Sequence, residues 1–414
     1  MSHSNGGIKL RDLLVAVAVI AVLFSLVTGV CGGAREAARR TQCQNNMRQI
    51  GLGLTGFSNS KQWFPNAGTI YDDPLVHQGD PTKSNIYQAM MLEKQGKGAS
   101  IEKTLFRSWV VSILPYVDVQ CLYDTWNNET YYSNKNTYKI KVVCVEEEMT
   151  EELSNANVSS TAIGILRCPD DSTCESSQGN LSYVVNGGFS RWPAYPVAWS
   201  GNSPREKAGA GEVLRWAGPG GTWQENQEIG KKLGVMFLGT QTGDQPWDIK
   251  TRPTDIVDGT STTILIGENM RVGYSPGTPD SAGIATNWAC PLPNFCMFFA
   301  SDDVCRTPNS ATDCLGGQLK PTARGETGAG WSRADGLEAR KRAGSRGPLG
   351  EGSFPFANSG HPGGSNFVFC DGATRFISNT IDGKVYAELI TPAGTALPPH
   401  LRHAQNPNLG DEIQ

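Results

Sequence analysis

This 414-residue chain has little of what most enzymes show. Histidine occurs five times, at His3, His77, His361, His400 and His403. No H-E-x-x-H motif and no G-x4-G-K-[ST] loop is present, which removes the common zinc-protease and P-loop nucleotide-binding readings. No C-x2-C pair occurs, so the usual spacing of a structural zinc site is missing. A basic excess is missing too. The 36 Lys and Arg stand against 40 Asp and Glu, a formal net charge of −4, and nucleic acid is not an expected partner. Catalysis is not expected either.

Long apolar runs are absent from all but one stretch. Leu13–Val30 (LLVAVAVIAVLFSLVTGV) is an 18-residue apolar run. With Ile8 and Leu10 ahead of it, a helix over it reaches about 30 Å at roughly 1.5 Å per residue, the thickness of a hydrocarbon core. A secretory signal's apolar region is shorter, about 7 to 15 residues, and ends at a small-x-small site. Val30-Cys31 lacks the small residue that a lipoprotein site needs. The plain reading is a single-pass anchor. Lys9 and Arg11, offset by Asp12, precede the run; Arg35, Arg39, Arg40 and Arg48, with Glu36 against them, follow it. Flanking charge alone would leave the C-terminal body in the cytoplasm.

What is plentiful argues the other way. The chain has 48 Gly and 24 Pro and a mean hydropathy of −0.33, which suit a loop-rich, strand-leaning body. Eleven cysteines are many for a reducing compartment. Cys168 and Cys174, and the group Cys290, Cys296, Cys305 and Cys314, sit in loop-forming sequence and are disulfide candidates. Free thiols are the alternative. The odd count leaves at least one thiol unpaired, with Cys31 and Cys43 in the first helix as the candidates.

Beyond the apolar run, Ala34 to Ser58 continues as a helix. Met47, Ile50, Leu54 and Phe57 fall on one face. Gly51, Gly53 and Gly56 weaken its end, and Pro65 lies beyond it. The result is about 50 residues of membrane helix merging into an amphipathic one.

Ahead of the run stands Gly7-Ile8-Lys9-Leu10-Arg11-Asp12. This resembles the cleavage segment of type IV pilin-like proteins. The resemblance implies a peptidase cut after Gly7, methylation of Ile8 as the new N-terminus, and Asp12 as the fifth mature residue. There Asp12 would pair with the ammonium of a neighbouring subunit, offsetting the cost of a carboxylate at the edge of an apolar helix. The plainer alternative leaves Asp12 at the lipid interface, near a helix N-terminus that favours negative charge. The segment departs from the family in having Ile8 for Phe, Asp12 for Glu and no Lys or Arg in residues 1–7.

A narrower resemblance follows. AREAARRTQCQNNMRQIGLGL with Phe64-Pro65 is similar to a family abundant in planctomycete bacteria, the DUF1559 proteins, which join a pilin-like N-terminus to a large domain of unknown function. Its later blocks recur in order. They are Ser108-Trp109 through Leu114-Pro115-Tyr116 and Leu122-Tyr123, Cys168-Pro169-Asp170, Ser182-Tyr183 to Asn186-Gly187, and Asp258-Gly259-Thr260-Ser261 through Ile266-Gly267-Glu268. Last comes the signature, in which nine residues separate His361 from Asp371-Gly372.

On its own residues, Ser365–Ser378 reads as a hairpin, with Asp371-Gly372 as a two-residue turn that needs positive φ. Phe367 and Phe369 would share a side with Phe376 across the pair. His361 is expected to bond to loop backbone or to Asp371. One His and one Asp make at most half a zinc site. Calcium wants more oxygens, with Asp170, Asp171, Asp255, Asp258, Asp302 and Asp303 as candidates. Glu268 is a candidate partner for an arginine. Arg191–Trp199, rich in Trp and Tyr, is either a partner surface or packing under a loop.

The expected architecture is α+β: a leader (1–7), a transmembrane and stalk helix (8–58), a DUF1559-like domain on an antiparallel sheet with long loop insertions (59–395), and a flexible tail (396–414). The resemblance implies a pilin-like or type II secretion pseudopilin-like subunit in the inner membrane. Its body would face the periplasm or exterior, and its partners would be other such subunits and the prepilin peptidase. The alternative is a single-pass envelope protein that never polymerises and binds a glycan, a metal or a protein.

Overall fold

The computed structural model describes residues 10–78, 84–86, 102–142, 149–171, 174, 179–188, 223–245, 247–269, 287–299, 357, 359–378, 381 and 383–397; within its elements, side chains such as those of residues 12 and 20–32 lie outside the description.

One helix, α1, runs without a break from Leu10 to Lys61, 52 residues. It is closed by Gln62 in the left-handed region (φ 69°), whose N–H donates to the Ser58 carbonyl at 2.7 Å. Its C-terminal half carries the expected stripe. Cys43, Met47, Ile50 and Leu54 are fully buried, and Phe57 packs against the same core. Burying each large apolar side chain contributes roughly 1.5–3 kcal/mol. The expectation that Gly51, Gly53 and Gly56 weaken the helix end is corrected: the helix passes through all three. A Cβ on Gly51 would lie 2.6 Å from Val368 Cγ1, and one on Gly53 2.5 Å from Val117 Cγ1. The glycines let the helix backbone approach its neighbours closely.

Shorter helices follow at Pro74–His77 (α2), Trp109–Ile113 (α3), Gln120–Asp124 (α4), Asn155–Ser159 (α5), Trp223–Gly230 (α6), Pro293–Cys296 (α7) and Gly383–Ile390 (α8). Strands are β1 (Gly68–Ile70), β2 (Leu105–Ser108), β3 (Tyr138–Val142), β4 (Met149–Leu153), β5 (Tyr183–Gly188), β6 (Leu238–Thr240), β7 (Ile264–Glu268), β8 (Met297–Phe299), β9 (Gly364–Phe369) and β10 (Thr374–Ser378). The central sheet has five strands in the order β10-β9-β7-β5-β8; a three-stranded sheet has the order β2-β1-β6, and β3-β4 forms a hairpin. The chain is thus α+β with largely antiparallel pairing. Two pairs, β5 with β8 and β1 with β6, are parallel.

The central sheet is sandwiched. On β9, Val368 meets α1 at Gly51, whereas Phe367 lies against Tyr386 of α8 and Phe298 of β8, with ring centroids 6.0 and 6.2 Å apart. This alternation is the period-2 rule of a strand buried on both faces. Register corrects the expected aromatic cluster. Phe376 stands opposite Asn366 and Arg375 opposite Phe367, so Phe376 shares the α1 face, where the Arg40 guanidinium lies 3.3 Å from its ring centroid. The turn is also longer than expected. Phe369 N–H bonds to the Ala373 carbonyl and Gly372 N–H to the Phe369 carbonyl, with Gly372 alone at positive φ (84°). That is a three-residue loop with a glycine in the left-handed position.

The far end of α1 is bare. Leu10, Leu13, Leu14, Val15, Val17 and Val19 are between 52% and 73% exposed. Over the side chains that are described, no helix is long and apolar enough to cross a membrane; most of the Leu13–Val30 run lies outside those side chains.

The contact between α1 and β9 can be tested. Gly51→Val is expected to lower stability by about 1–3 kcal/mol through overpacking against Val368, even though replacing a helical glycine gains roughly 0.5–1 kcal/mol by propensity. Leu52→Ala, at an exposed neighbour, should stay within about 0.5 kcal/mol. Paired thermal melts decide it, and equal melts would contradict the close approach.

Candidate functional site

Four of the sequence blocks meet at one buried imidazole, His361. The segment Ser359-Gly360-His361-Pro362-Gly363-Gly364 leads into β9. Ser359 Oγ accepts the His361 N–H at 3.1 Å and donates to the Gly364 carbonyl at 2.7 Å. Gly363 takes φ 81°. A Cβ on Gly360 would lie 2.4 Å from the Asp170 carbonyl, so only glycine lets this loop close on the Cys168-Pro169-Asp170 loop.

The His361 side chain is fully enclosed. Its Nδ1 lies 2.9 Å from Glu36 Oε1 on α1 and 3.7 Å from Asp170 Oδ2; its Nε2 lies 3.4 Å from Glu268 Oε1 at the end of β7. Glu268 is itself held, with Oε2 accepting the Asn366 N–H at 2.7 Å and Oε1 the Asn366 Nδ2 at 2.9 Å. Gln44 of α1 donates to Asn366 Oδ1 at 3.0 Å, and Asn46 of α1 to the Arg167 carbonyl at 3.0 Å. Arg39 of α1 reaches Asp170 at 3.3 Å. Burial by itself depresses the imidazole's proton affinity. The Glu268 hydrogen bond and charge, then Glu36 and Asp170, reverse this and raise it to about 9. His361 is therefore an imidazolium at neutral pH, donating from both nitrogens to carboxylates.

The disulfide pattern differs from expectation. Cys168 is bonded to Cys43 of α1, with Cα atoms 5.2 Å apart and a sequence separation of 125. It is not bonded to Cys174, and Cys43 is not the spare thiol. Cys174 and Cys296 are free and Cys290 is buried, and Cys121 is disulfide-bonded as well; Cys305 and Cys314 lie outside the described residues. The physical reason is the packing of α1, which brings Cys43 within bridging range. Cys174 is meanwhile turned to Asp171 Oδ2 and Ser182 Oγ, at 3.4 and 3.3 Å. Burial and the Asp171 charge push its thiol up, and burial does the same for Cys296 and Cys370.

The expected His361–Asp371 contact is also corrected, since the two stand at opposite ends of β9. Asp371 is exposed, accepts the Ala373 N–H at 2.8 Å and donates its own N–H to the Thr260 carbonyl at 3.1 Å. Glu268 pairs with the histidine and Asn366 rather than with an arginine. The calcium candidates are dispersed. Asp170 faces His361 and Arg39, Asp171 holds Ser182, Asp255 accepts the Arg252 N–H, and Asp258 pins Gly394 and Thr395. Asp302, Asp303, Gly7, Ile8, His3, His400, His403 and residues 191–199 lie outside the described residues, as does the Asp12 side chain. His77 is buried edge-on to Trp247 at 4.7 Å. A separate open cleft, lined by Val119, Leu122, Leu153, Val158 and Ile163, carries charge only at Asp118 among the described residues.

The other blocks are fastenings of the same core. Ser108 caps α3, accepting the Val110 N–H at 3.2 Å, and Trp109 Nε1 donates to the Cys296 carbonyl at 3.1 Å. Asn186 Nδ2 donates to the Ile264 and Ile390 carbonyls, both at 2.7 Å. Glu36, Cys43, Glu268 and Asn366 are the site residues that sequence reasoning missed. A signal existed for the first two: stepping back from Met47 by four and then seven residues reaches Cys43 and Glu36, one continuous face of α1.

Two outcomes follow. A group with a raised folded pKa contributes stability fully below its unfolded value of 6.5, and that stability is lost as pH rises through about 9. The shift corresponds to roughly 2–3 kcal/mol at neutral pH. The oxidised protein should therefore melt progressively lower between pH 7 and 10, with a flatter profile in His361→Gln; parallel profiles would contradict the ion-pair geometry. Non-reducing peptide mapping should recover Cys43 linked to Cys168, and reduction should cost about 4–5 kcal/mol on a chain-entropy basis.

No curated protein and no solved structure matches the chain. A family model described as a protein of unknown function (DUF1559) matches residues 33–384, which takes in the docked part of α1, Cys168, Glu268 and His361. Matched over most of its length, the chain belongs to the DUF1559 family.

Proposed function

We propose that the chain is a pilin-like, pseudopilin-like structural subunit, anchored in the inner membrane by α1 with its body in the periplasm or exterior. The observation that best supports this reading is the division of α1. From Cys43 to Phe57 it is seated on the body, while Leu10 to Val19 presents a row of bare large apolar side chains. Such a row is unfavourable in water and suits lipid or the helices of neighbouring subunits. Continuity of the helix over 52 residues makes the anchor and the stalk one rigid element. The His361 clamp and the Cys43–Cys168 bond then fix how the body sits on that element, as an ordered assembly requires. In this reading the prepilin peptidase cuts after Gly7, Ile8 becomes the methylated N-terminus, Asp12 pairs with the terminal ammonium of a neighbour, and other pilin-like subunits are the partners. No catalytic step is assigned.

Mass spectrometry of the native N-terminus tests the reading, with methylated Ile8 as the expected result. Filaments seen in negative stain should vanish with Asp12→Ala. An intact Met1 with no filaments would overturn assembly and leave a single-pass envelope protein in its place.

A further inference from the structure

The junction between α1 and the body gathers four side chains of metal-ligating type. Cys43 Sγ, Cys168 Sγ, a Glu268 carboxylate oxygen and a His361 ring nitrogen all lie within 4.8 Å of one another, and all four residues are buried. They come from four separate segments: α1, the loop before β5, the end of β7 and the loop before β9. We propose that, once the Cys43–Cys168 bond is reduced, these four side chains form a tetrahedral zinc site.

The geometry carries this in three ways. Zinc takes thiolate at about 2.3 Å and imidazole or carboxylate at about 2.0–2.2 Å, so neighbouring ligands in a tetrahedral site stand roughly 3.3–3.8 Å apart. Two such edges are already present and a third is close to one. His361 Nε2 is 3.5 Å from Cys168 Sγ and 3.4 Å from Glu268 Oε1, and Cys168 Sγ is 3.9 Å from Glu268 Oε1. Only Cys43 Sγ must swing away from its partner. The outer contacts are those of a metal-binding histidine and carboxylate: Nδ1 is held by Glu36 at 2.9 Å, and Glu268 by the Asn366 N–H and Nδ2. Such contacts orient ligands and set the tautomer. Finally, two sulfurs, a nitrogen and an oxygen favour zinc over calcium or magnesium, which want oxygen alone.

The chemistry balances with a dithiol reductant as co-reactant. It gives two electrons and two protons to the S–S bond and closes to its own disulfide, while Cys43 and Cys168 become thiols. Zinc then displaces both thiol protons and the His361 Nε2 proton to solvent and forms two Zn–S bonds, one Zn–N bond and one Zn–O bond, with no change in its own oxidation state. Both forms fasten α1 to the same loop. A second carboxylate cluster, Glu36 with Asp170, shares this imidazole and is already occupied by Arg39. The inference stands apart from the assembly reading.

Full-length protein in detergent tests it. After anaerobic reduction with a phosphine, addition of zinc chloride and desalting, the reduced protein is expected to retain about one zinc per chain and the oxidised protein almost none. Cobalt chloride in place of zinc should give tetrahedral absorption bands with thiolate charge transfer. Cys168→Ser and Glu268→Gln should lower retention about ten-fold or more, on the scale of losing a ligand, while Cys174→Ser should not. Reduced protein that keeps its near-ultraviolet circular dichroism but binds no zinc overturns the proposal. So does zinc that Cys168→Ser retains or Cys174→Ser loses. Should Cys168→Ser fail to fold, the wild-type cobalt spectrum decides, and octahedral bands without charge transfer overturn the proposal.

Discussion

The seating of α1 on the central sheet is the constraint on which the rest depends. One face of that helix, from Glu36 through Cys43, Met47, Ile50 and Leu54 to Phe57, supplies an ion pair, a covalent bond and an apolar stripe in succession. Apolar burial provides most of the driving force, since it scales with area and these side chains are fully enclosed. The polar end contributes direction. A stripe of apolar side chains alone tolerates sliding by a turn, whereas Glu36 to His361, Gln44 to Asn366 and Asn46 to Arg167 are satisfied in one register only.

Buried charge needs compensation, and here it is arranged in layers. His361 and Arg39 face Glu36, Asp170 and Glu268, and the most buried carboxylate, Glu268, also accepts two hydrogen bonds from Asn366. Removing one member of such a set leaves an uncompensated charge, which is why these networks act as units. The Cys43–Cys168 bond lies against the same imidazole, so the covalent and electrostatic fastenings of α1 occupy one place. An enclosed imidazolium with both nitrogens engaged is poorly placed to meet a substrate. It is well placed to hold a helix against a sheet.

Much of this was legible in the chain. Periodicity placed Met47, Ile50, Leu54 and Phe57 on one face, and Asp371-Gly372 marked the hairpin that joins β9 to β10. The H-x9-D-G spacing pointed to the right histidine but suggested the wrong partner. The six-residue strand β9 carries His361 and Asp371 to opposite ends, and proximity in sequence says nothing about that. The cysteines misled for a related reason. Cys168 and Cys174 are close in sequence, yet the loop between them turns Cys174 toward Asp171 and Ser182, and a helix 125 residues away supplies the partner. The glycines of α1 were read as breakers because propensity is local; against a sheet they are points of contact.

The sequence alone determined the α+β class, the long N-terminal helix with its apolar first half, the family, and which histidine matters. The class and the helix follow from composition, period and local turn chemistry, which act over a few residues; the family and the histidine follow from resemblance in the order and spacing of motifs. Tertiary structure decided what His361 touches, which cysteines pair, how β9 and β10 are registered, and that Glu36 and Glu268 belong to one site. Each of those depends on which surfaces meet when helix and sheet pack, a property of the whole fold rather than of any local stretch.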